Sequence, residues 1–150
     1  MTDDAVKNIV ELLKGTNNSA AELVYKGDLD GAIQMYELAE ETSERFKYTD
    51  GVLLNRIYIA KVNILKDELK RAIEVIDTVL THDLSPSIKR ETDKFFREAS
   101  LTILKKGMVW ESEGDLKNAL HAFEIIVPYL NKKRADIVEK EIALLRSKVE

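Results

Sequence analysis

The chain has 150 residues and no cysteine, which excludes a disulfide framework, a thiolate metal site and a cysteine nucleophile. Its composition is 45% hydrophobic and 33% charged, with two prolines and six glycines, which excludes a disordered chain and disfavours a many-stranded sheet protein. A chain of this length can form one core without covalent staples. Because no signal-peptide pattern and no run of about 18 apolar residues occurs, we expect a cytoplasmic protein with no membrane partner.

The formal net charge of −4 is unevenly distributed. Residues 1–50 carry 5 Lys or Arg against 11 Asp or Glu, whereas each later third carries 9 against 8. The basic runs 105–106 and 132–134 are shorter than the clustered footprint that nucleic-acid binding needs. Such runs are typical of a solvated helix face or of the favourable end of a helix dipole. We therefore expect no nucleic-acid partner.

Apolar side chains keep helical spacing through the first 26 residues. On a helical wheel, Val6, Val10, Ala20 and Val24 lie within about 60° of Leu13. This phase predicts one helix over 3–26. The alternative is a break, because a glycine at 15 can end a helix and residues 19–22 match a capping box.

Further helices follow at similar spacing, and together they predict an all-α protein of about seven helices. A turn at 26–28 leads into a second helix that carries Ala32 and Tyr36. The next helices are expected over 50–66, 68–82 and 86–112, the last with Ser85 as its cap and Pro86 in its first turn.

A sixth helix follows a turn at 113–115 and must end or kink at Pro128. The terminal helix, marked by Ile137, Val138, Ile142, Leu145 and Val149, is expected to cap the stack with a polar outer side.

One short motif recurs three times. Residues 27–39 and 114–126 align without a gap, and residues 67–76 keep the pattern with Asp67 in place of the glycine. In each copy a capped turn is followed by a small residue, which allows close helix approach, and four residues later by a large side chain. The small residues are Ala32, Ala72 and Ala119.

These segments resemble the tetratricopeptide-repeat family, and Gly107 and Trp110 match the small residue and the aromatic of its first helix. The resemblance implies a single domain over 1–150, with repeats at about 14–47, 50–83 and 86–131 and a capping helix at about 132–149. It also implies antiparallel hairpins stacked in a right-handed superhelix. The motif alanines are 40 and 47 residues apart, where the family norm is about 34, so the repeats are lengthened.

In that family the first helix of each hairpin lines a concave groove. Helices 50–66 and 86–112 each carry a second apolar strip away from the main one, which indicates a second covering partner. The resemblance and these strips predict the following groove residues: Tyr25, Leu54, Tyr58, Lys61, Leu65, Leu101, Leu104, Lys105 and Met108. We expect a module or adaptor that binds a peptide or amphipathic helix of another protein. The alternatives are a small chaperone for an apolar client segment, or a homodimer or other homo-oligomer whose groove is filled by the protein itself.

Two other functions are disfavoured. A carboxylate clamp for an acidic chaperone tail needs five polar residues at positions that here hold Asn17, Ala21, Tyr58, Leu101 and Lys105, and one of the five fits. No phosphate-binding loop, nucleophile elbow or zinc-helix motif occurs. Both histidines, at 82 and 121, stand alone in the sequence. We therefore expect no enzyme activity, no cofactor and no metal.

Overall fold

The computed structural model describes residues 2–149, and all regular secondary structure in that range is helical. The seven α-helices are α1 (Asp3–Tyr25), α2 (Leu29–Arg45), α3 (Thr49–Leu65), α4 (Leu69–Leu80), α5 (Pro86–Ser112), α6 (Leu116–Ile126) and α7 (Lys132–Val149), with a 3-10 turn at Val127–Tyr129. The prediction of an all-α chain of about seven helices is confirmed. Within residues 2–149 no helix is long and apolar enough to cross a membrane.

Helix α1 is continuous, as predicted from the phase of its apolar stripe. Gly15 faces open space, so the absence of a side chain there does not interrupt packing. The Ser19 hydroxyl donates to the Gly15 carbonyl at 3.1 Å instead of capping a new helix, so the capping-box pattern at 19–22 is not used. The helix begins at Thr2, whose hydroxyl accepts a hydrogen bond from the Ala5 N–H.

The described chain divides into two compact units, and the boundary lies between Thr92 and Asp93, inside α5. In the first unit α1 packs on α2, α2 on α3 and α3 on α4, through short turns that reverse the chain. In the second unit α6 packs on α7. A single domain over 1–150 and a right-handed superhelix concern both units together and stay predictions.

The turns of the motif share one backbone conformation. Gly27 and Gly114 have φ values of +85° and +81°, in the left-handed region that favours glycine. Asp67, which stands in the glycine's place in the middle copy, also adopts it, with φ of +63°. Asp67 therefore keeps the left-handed backbone conformation of the motif although it replaces the glycine. Asp is one of the few residues other than glycine that adopt this conformation readily.

The motif side chains are buried as their spacing predicted. Ala32, Ala72 and Ala119 are fully buried, and the residues four positions later, Tyr36, Ile76 and Phe123, are at most 6% exposed. Ala20 and Ala60 lie twelve residues before the first two motif alanines, the same offset as Gly107 before Ala119, and both are fully buried. In the first unit Ala20, Ala32 and Tyr36 form one core with Ile59 and Val62.

The core of the second unit lies between α6 and α7, where Ala119 and Phe123 meet Val138, Ile142 and Leu145. One expectation for α7 is wrong. Ile137 does not join the buried stripe but is 63% exposed, because it is one residue off the line of Val138, Ile142 and Leu145. Residues 132–134 are exposed, in agreement with the solvated helix face, and they lie in the first turn of α7, so the alternative of a favourable dipole end does not apply.

Candidate functional site

The nine predicted groove residues fall in both units. Tyr25 on α1 belongs to the first unit with four residues of α3, namely Leu54, Tyr58, Lys61 and Leu65. The other four lie on α5 in the second unit, namely Leu101, Leu104, Lys105 and Met108. Each set has its own surroundings, which decide what its members can bind.

The first unit holds a cavity of about 320 Å³ between α1 and α3, here called the α1–α3 cavity. Two predicted residues, Leu54 and Tyr58, line it side by side on α3. Its wall also includes Leu13, Asn17, Tyr48 and Asn55. The wall is therefore mainly apolar and aromatic, with a small number of amide groups, as is usual for a binding pocket.

Two amide oxygens in this wall lack hydrogen-bond partners. Asn55 is 1% exposed, and its Nδ2 donates to the Gly51 carbonyl at 2.8 Å, which fixes the orientation of the amide. Its Oδ1 has no partner, and the same holds for the buried Oδ1 of Asn17. A buried acceptor without a donor costs roughly 1–3 kcal/mol. Both oxygens are almost inaccessible, so donors from an occupant of the α1–α3 cavity would satisfy them once the two side chains turn toward it.

The aromatic ring of Tyr58 is held from two sides. The Tyr36 ring lies at a centroid distance of 5.1 Å with an interplanar angle of 34°, and the Lys61 Nζ lies 5.6 Å from the Tyr58 centroid. Burial raises the pKa of Tyr58 above its ordinary value, and the negative charge of Glu91 raises it further. The phenol therefore stays protonated at neutral pH and can donate as well as accept.

The remaining predicted residues of the first unit lie outside the α1–α3 cavity. Tyr25 is 94% exposed at the end of α1, where it lines a shallow depression with Asn18 and Glu22. Leu65 is half-exposed at the end of α3. Lys61 is half-buried and contacts the Tyr58 ring. The structure thus brings Leu54, Tyr58 and Lys61 together and leaves Tyr25 and Leu65 apart from them.

The α5 strip of the second unit has three different environments. Leu104 is half-buried and packs against the core between α6 and α7. Met108 is 64% exposed, and Lys105 is exposed as well. Leu101 is half-exposed and lines a cavity of about 640 Å³, here called the α5–α7 cavity, which also includes Phe96, Arg97, Tyr129, Leu130 and Arg134.

A third cavity, of about 520 Å³, lies over α2, α3 and α4 and is lined mainly by charged residues. Arg56 Nε donates to Glu40 Oε1 at 2.8 Å, and both side chains are about three-quarters buried. Arg56 also reaches the Thr78 hydroxyl on α4 at 3.5 Å. This network ties the three helices together, so we interpret it as structural and not as a ligand site.

Several cavity residues were not predicted from the sequence. Asn55 lies within an apolar stretch of α3, and its polarity there is the one signal that could have singled it out. Asn17 matches one position of a carboxylate clamp, and nothing in the sequence assigns it to this cavity. Arg97 and Arg134 are 37 residues apart in the chain, and no periodic pattern joins them. Only the folded chain places both in the lining of one cavity.

The histidines and the acidic side chains of residues 2–149 are the remaining groups that could ligate a metal. No group of three or more His, Cys, Asp or Glu side chains there is placed to hold a metal ion. Both histidines are exposed, and the ring of His82, just beyond the end of α4, lies 3.1 Å from the Thr78 carbonyl in the last turn of that helix. Comparisons with protein-family models, with curated proteins and with solved structures gave no match. The site is therefore interpreted from its geometry.

Proposed function

We propose that this protein is a non-enzymatic interaction module of the tetratricopeptide-repeat type, which binds a peptide or an amphipathic helix of another protein. The observation that carries the proposal is the α1–α3 cavity, where Leu54 and Tyr58 stand beside two buried amide oxygens that have no donor. Apolar walls take a side chain, and the oxygens take N–H groups. Both needs are met at once by a peptide.

The charge around the cavity favours neutral donors. Lys14 lines it, and Lys61 lies over the ring of Tyr58, so a cationic ligand would meet two like charges. The side chain of Asn17 makes no hydrogen bond to another described residue, so no such bond opposes a turn of its amide toward the cavity, where it would accept a backbone N–H and donate to a backbone C=O. We therefore propose that the ligand's backbone amides and one of its apolar side chains occupy the cavity.

A chaperone that shields an apolar client segment is the second candidate. It is favoured by the large apolar side chains that stay exposed, including Tyr25 at 94%, Met108 at 64% and the adjacent Val109 at 53%. Isolated exposed apolar residues are normal on a protein surface, but adjacent ones favour a covering partner. A homodimer would cover such residues in the same way.

The test compares protein partners captured from native lysate by the wild type and by two variants. Leu54→Glu places a carboxylate in the α1–α3 cavity, and Leu38→Glu is the matched control on the half-exposed Leu38 of α2, outside that cavity. We expect the first variant to lose partners that the control retains, with far-UV circular dichroism unchanged in both. Retention of every partner by Leu54→Glu contradicts the proposal.

The same preparations separate the alternatives. A client that becomes insoluble when the protein is removed indicates a chaperone. Light scattering that gives a dimer for the wild type and a monomer for Leu54→Glu indicates that a second copy fills the cavity. A monomer with a stoichiometric partner supports the interaction module.

A further inference from the structure

The α5–α7 cavity of the second unit has a different chemistry from the α1–α3 cavity. One wall is a face of α5 on which Phe96, Arg97 and Leu101 lie within two turns. The opposite wall is the segment from Tyr129 to Arg134, which includes the start of α7. Arg97 and Arg134 thus stand around a partly apolar interior. The carboxylate of Asp93 lies in the same lining, which leaves the cavity with one net positive charge from its own lining residues.

The two arginines of this cavity have no carboxylate partner. Arg97 and Arg134 are exposed, and neither makes an ion pair or a side-chain hydrogen bond to another residue in 2–149. Four other arginines of residues 2–149 make ion pairs, the shortest being Arg56 with Glu40 at 2.8 Å and Arg146 with Glu124 at 3.1 Å. Both guanidinium groups in the α5–α7 cavity are therefore available to a ligand.

The start of α7 adds to the positive potential. Lys132, Lys133 and Arg134 fill its first turn, which holds no acidic residue. The Asn131 Oδ1 accepts the Arg134 N–H at 2.9 Å and caps the helix without contributing charge. Cations at this end are opposed by the helix dipole, and an anion beside them would relieve that repulsion.

The interior of the cavity is apolar and aromatic. The rings of Phe96 and Tyr129 stack at a centroid distance of 4.9 Å and an interplanar angle of 15°. Leu101 and Leu130 also line the cavity. A free inorganic anion would leave these surfaces uncovered, so the lining favours a ligand that joins an anionic group to an apolar one.

We propose that the α5–α7 cavity binds a segment of a partner protein that carries a carboxylate next to an apolar side chain. The planar fork of a guanidinium matches a carboxylate in two parallel hydrogen bonds. Nucleic acid fits less well, because residues 93–150 carry 11 Lys or Arg against 10 Asp or Glu, and the positive charge is local to this cavity. The proposal involves other residues than the proposed function and does not rest on it.

The test uses nuclear magnetic resonance on the full-length labelled chain, with N-acetyl-leucine as the carboxylate probe and N-acetyl-leucinamide as its uncharged match. We expect N-acetyl-leucine to shift the methyl signals of Leu101 and Leu130 and the side-chain N–H signals of Arg97 and Arg134, with saturation. The amide should bind at least about tenfold more weakly, because it lacks the charge-assisted hydrogen bonds. Added salt should weaken the first titration and not the second.

In the double variant Arg97→Gln with Arg134→Gln, N-acetyl-leucine should bind no more tightly than N-acetyl-leucinamide. Lys117→Gln with Lys140→Gln is the control, since both lysines are exposed and lie outside the cavity, and the net charge changes equally. An Asn55→Leu variant should titrate like the wild type, which keeps this test separate from the α1–α3 cavity.

Three results would overturn the proposal. The first is equal binding of the acid and the amide, and the second is an unchanged titration in the arginine double variant. The third is binding of inorganic phosphate with no response to N-acetyl-leucine, which would indicate a phosphate site. Light scattering on the same samples must also stay monomeric, because self-association lost with the arginines would assign the cavity to a second copy of this chain.

Discussion

Gly107 on α5 lies directly against the ring of Phe123 on α6. A Cβ atom at position 107 would be 2.6 Å from Phe123 Cε1, a separation at which one of the two must move. Phe123 is 3% exposed within the core between α6 and α7, so its ring has little space to yield. The absence of a side chain at 107 is thus what lets α5 and α6 approach.

Gly107→Ala should destabilise the protein by roughly 1–3 kcal/mol, because the cost of overpacking exceeds the gain in helix propensity. Gly15→Ala is the control, since a Cβ there meets nothing within 4 Å. That substitution should instead stabilise α1 by roughly 0.5–1 kcal/mol. Urea denaturation followed by circular dichroism measures both, and equal effects at the two glycines would contradict the close contact.

The strip on α5 should separate into a core residue and a surface residue. Leu104→Asp should destabilise the protein by roughly 2–4 kcal/mol, because it places a charge against the core between α6 and α7. Met108→Lys should change stability by less than about 0.5 kcal/mol, since Met108 is 64% exposed. Thermal unfolding distinguishes the two, and partner capture by Met108→Lys then reports on binding alone.

Removal of the unpartnered oxygen at position 55 should favour folding and oppose binding. Asn55→Leu loses one hydrogen bond to the Gly51 carbonyl but also a buried acceptor without a donor, so we expect the free protein to gain roughly 1 kcal/mol. Partner affinity should fall, because the ligand loses the acceptor for one of its N–H groups.

Asn63→Leu on the same helix is the matched control for that substitution. Asn63 donates to the Ile59 carbonyl at 3.0 Å and leaves no buried oxygen without a partner. Its replacement should therefore not stabilise the protein. A gain in stability of similar size for both variants would indicate that any apolar residue on this helix is better tolerated, and that the oxygen of Asn55 has no special cost.

A pair of glutamates makes stability depend on pH. A hydrogen bond to Glu141 raises the pKa of Glu111 above its ordinary value of 4.5, and burial and the charge of Glu141 raise it further, against the opposing charge of Lys148. The folded protein therefore binds this proton more tightly than the unfolded chain. Protonated Glu111 stabilises the folded protein. This stabilisation is complete at pH values below the ordinary pKa of the carboxyl and is lost as the pH rises through the raised pKa of the folded protein.

Glu111→Gln should accordingly stabilise the protein at pH 7 by roughly 0.2–0.5 kcal/mol, the size of a like-charge pair on a helix surface. The difference from wild type should disappear near pH 4, where the wild-type carboxyl is protonated. Thermal unfolding across this range measures it. Glu113→Gln, an exposed neighbour with the same charge change, is the control.

The helices and their order followed from the sequence, because apolar spacing, caps and turn residues act over a few residues. The continuity of α1, the start of α5 at Pro86 and the end of α6 before Pro128 are all confirmed. So is the burial of Ala32, Ala72 and Ala119. Periodicity determines on which side of its helix a side chain lies. The motif places its alanine on the buried side of the helix in all three copies.

The surfaces available for binding were decided by tertiary packing. The wheel places Leu101, Leu104 and Met108 in one strip, but α6 and α7 cover Leu104 and leave Met108 exposed. It gives no sign that Arg97 and Arg134 share a cavity, or that the oxygens of Asn17 and Asn55 lack donors. By itself the sequence determined which side of each helix is apolar. Only the folded chain decided which of those sides another helix covers, because covering depends on contacts between residues far apart in the chain.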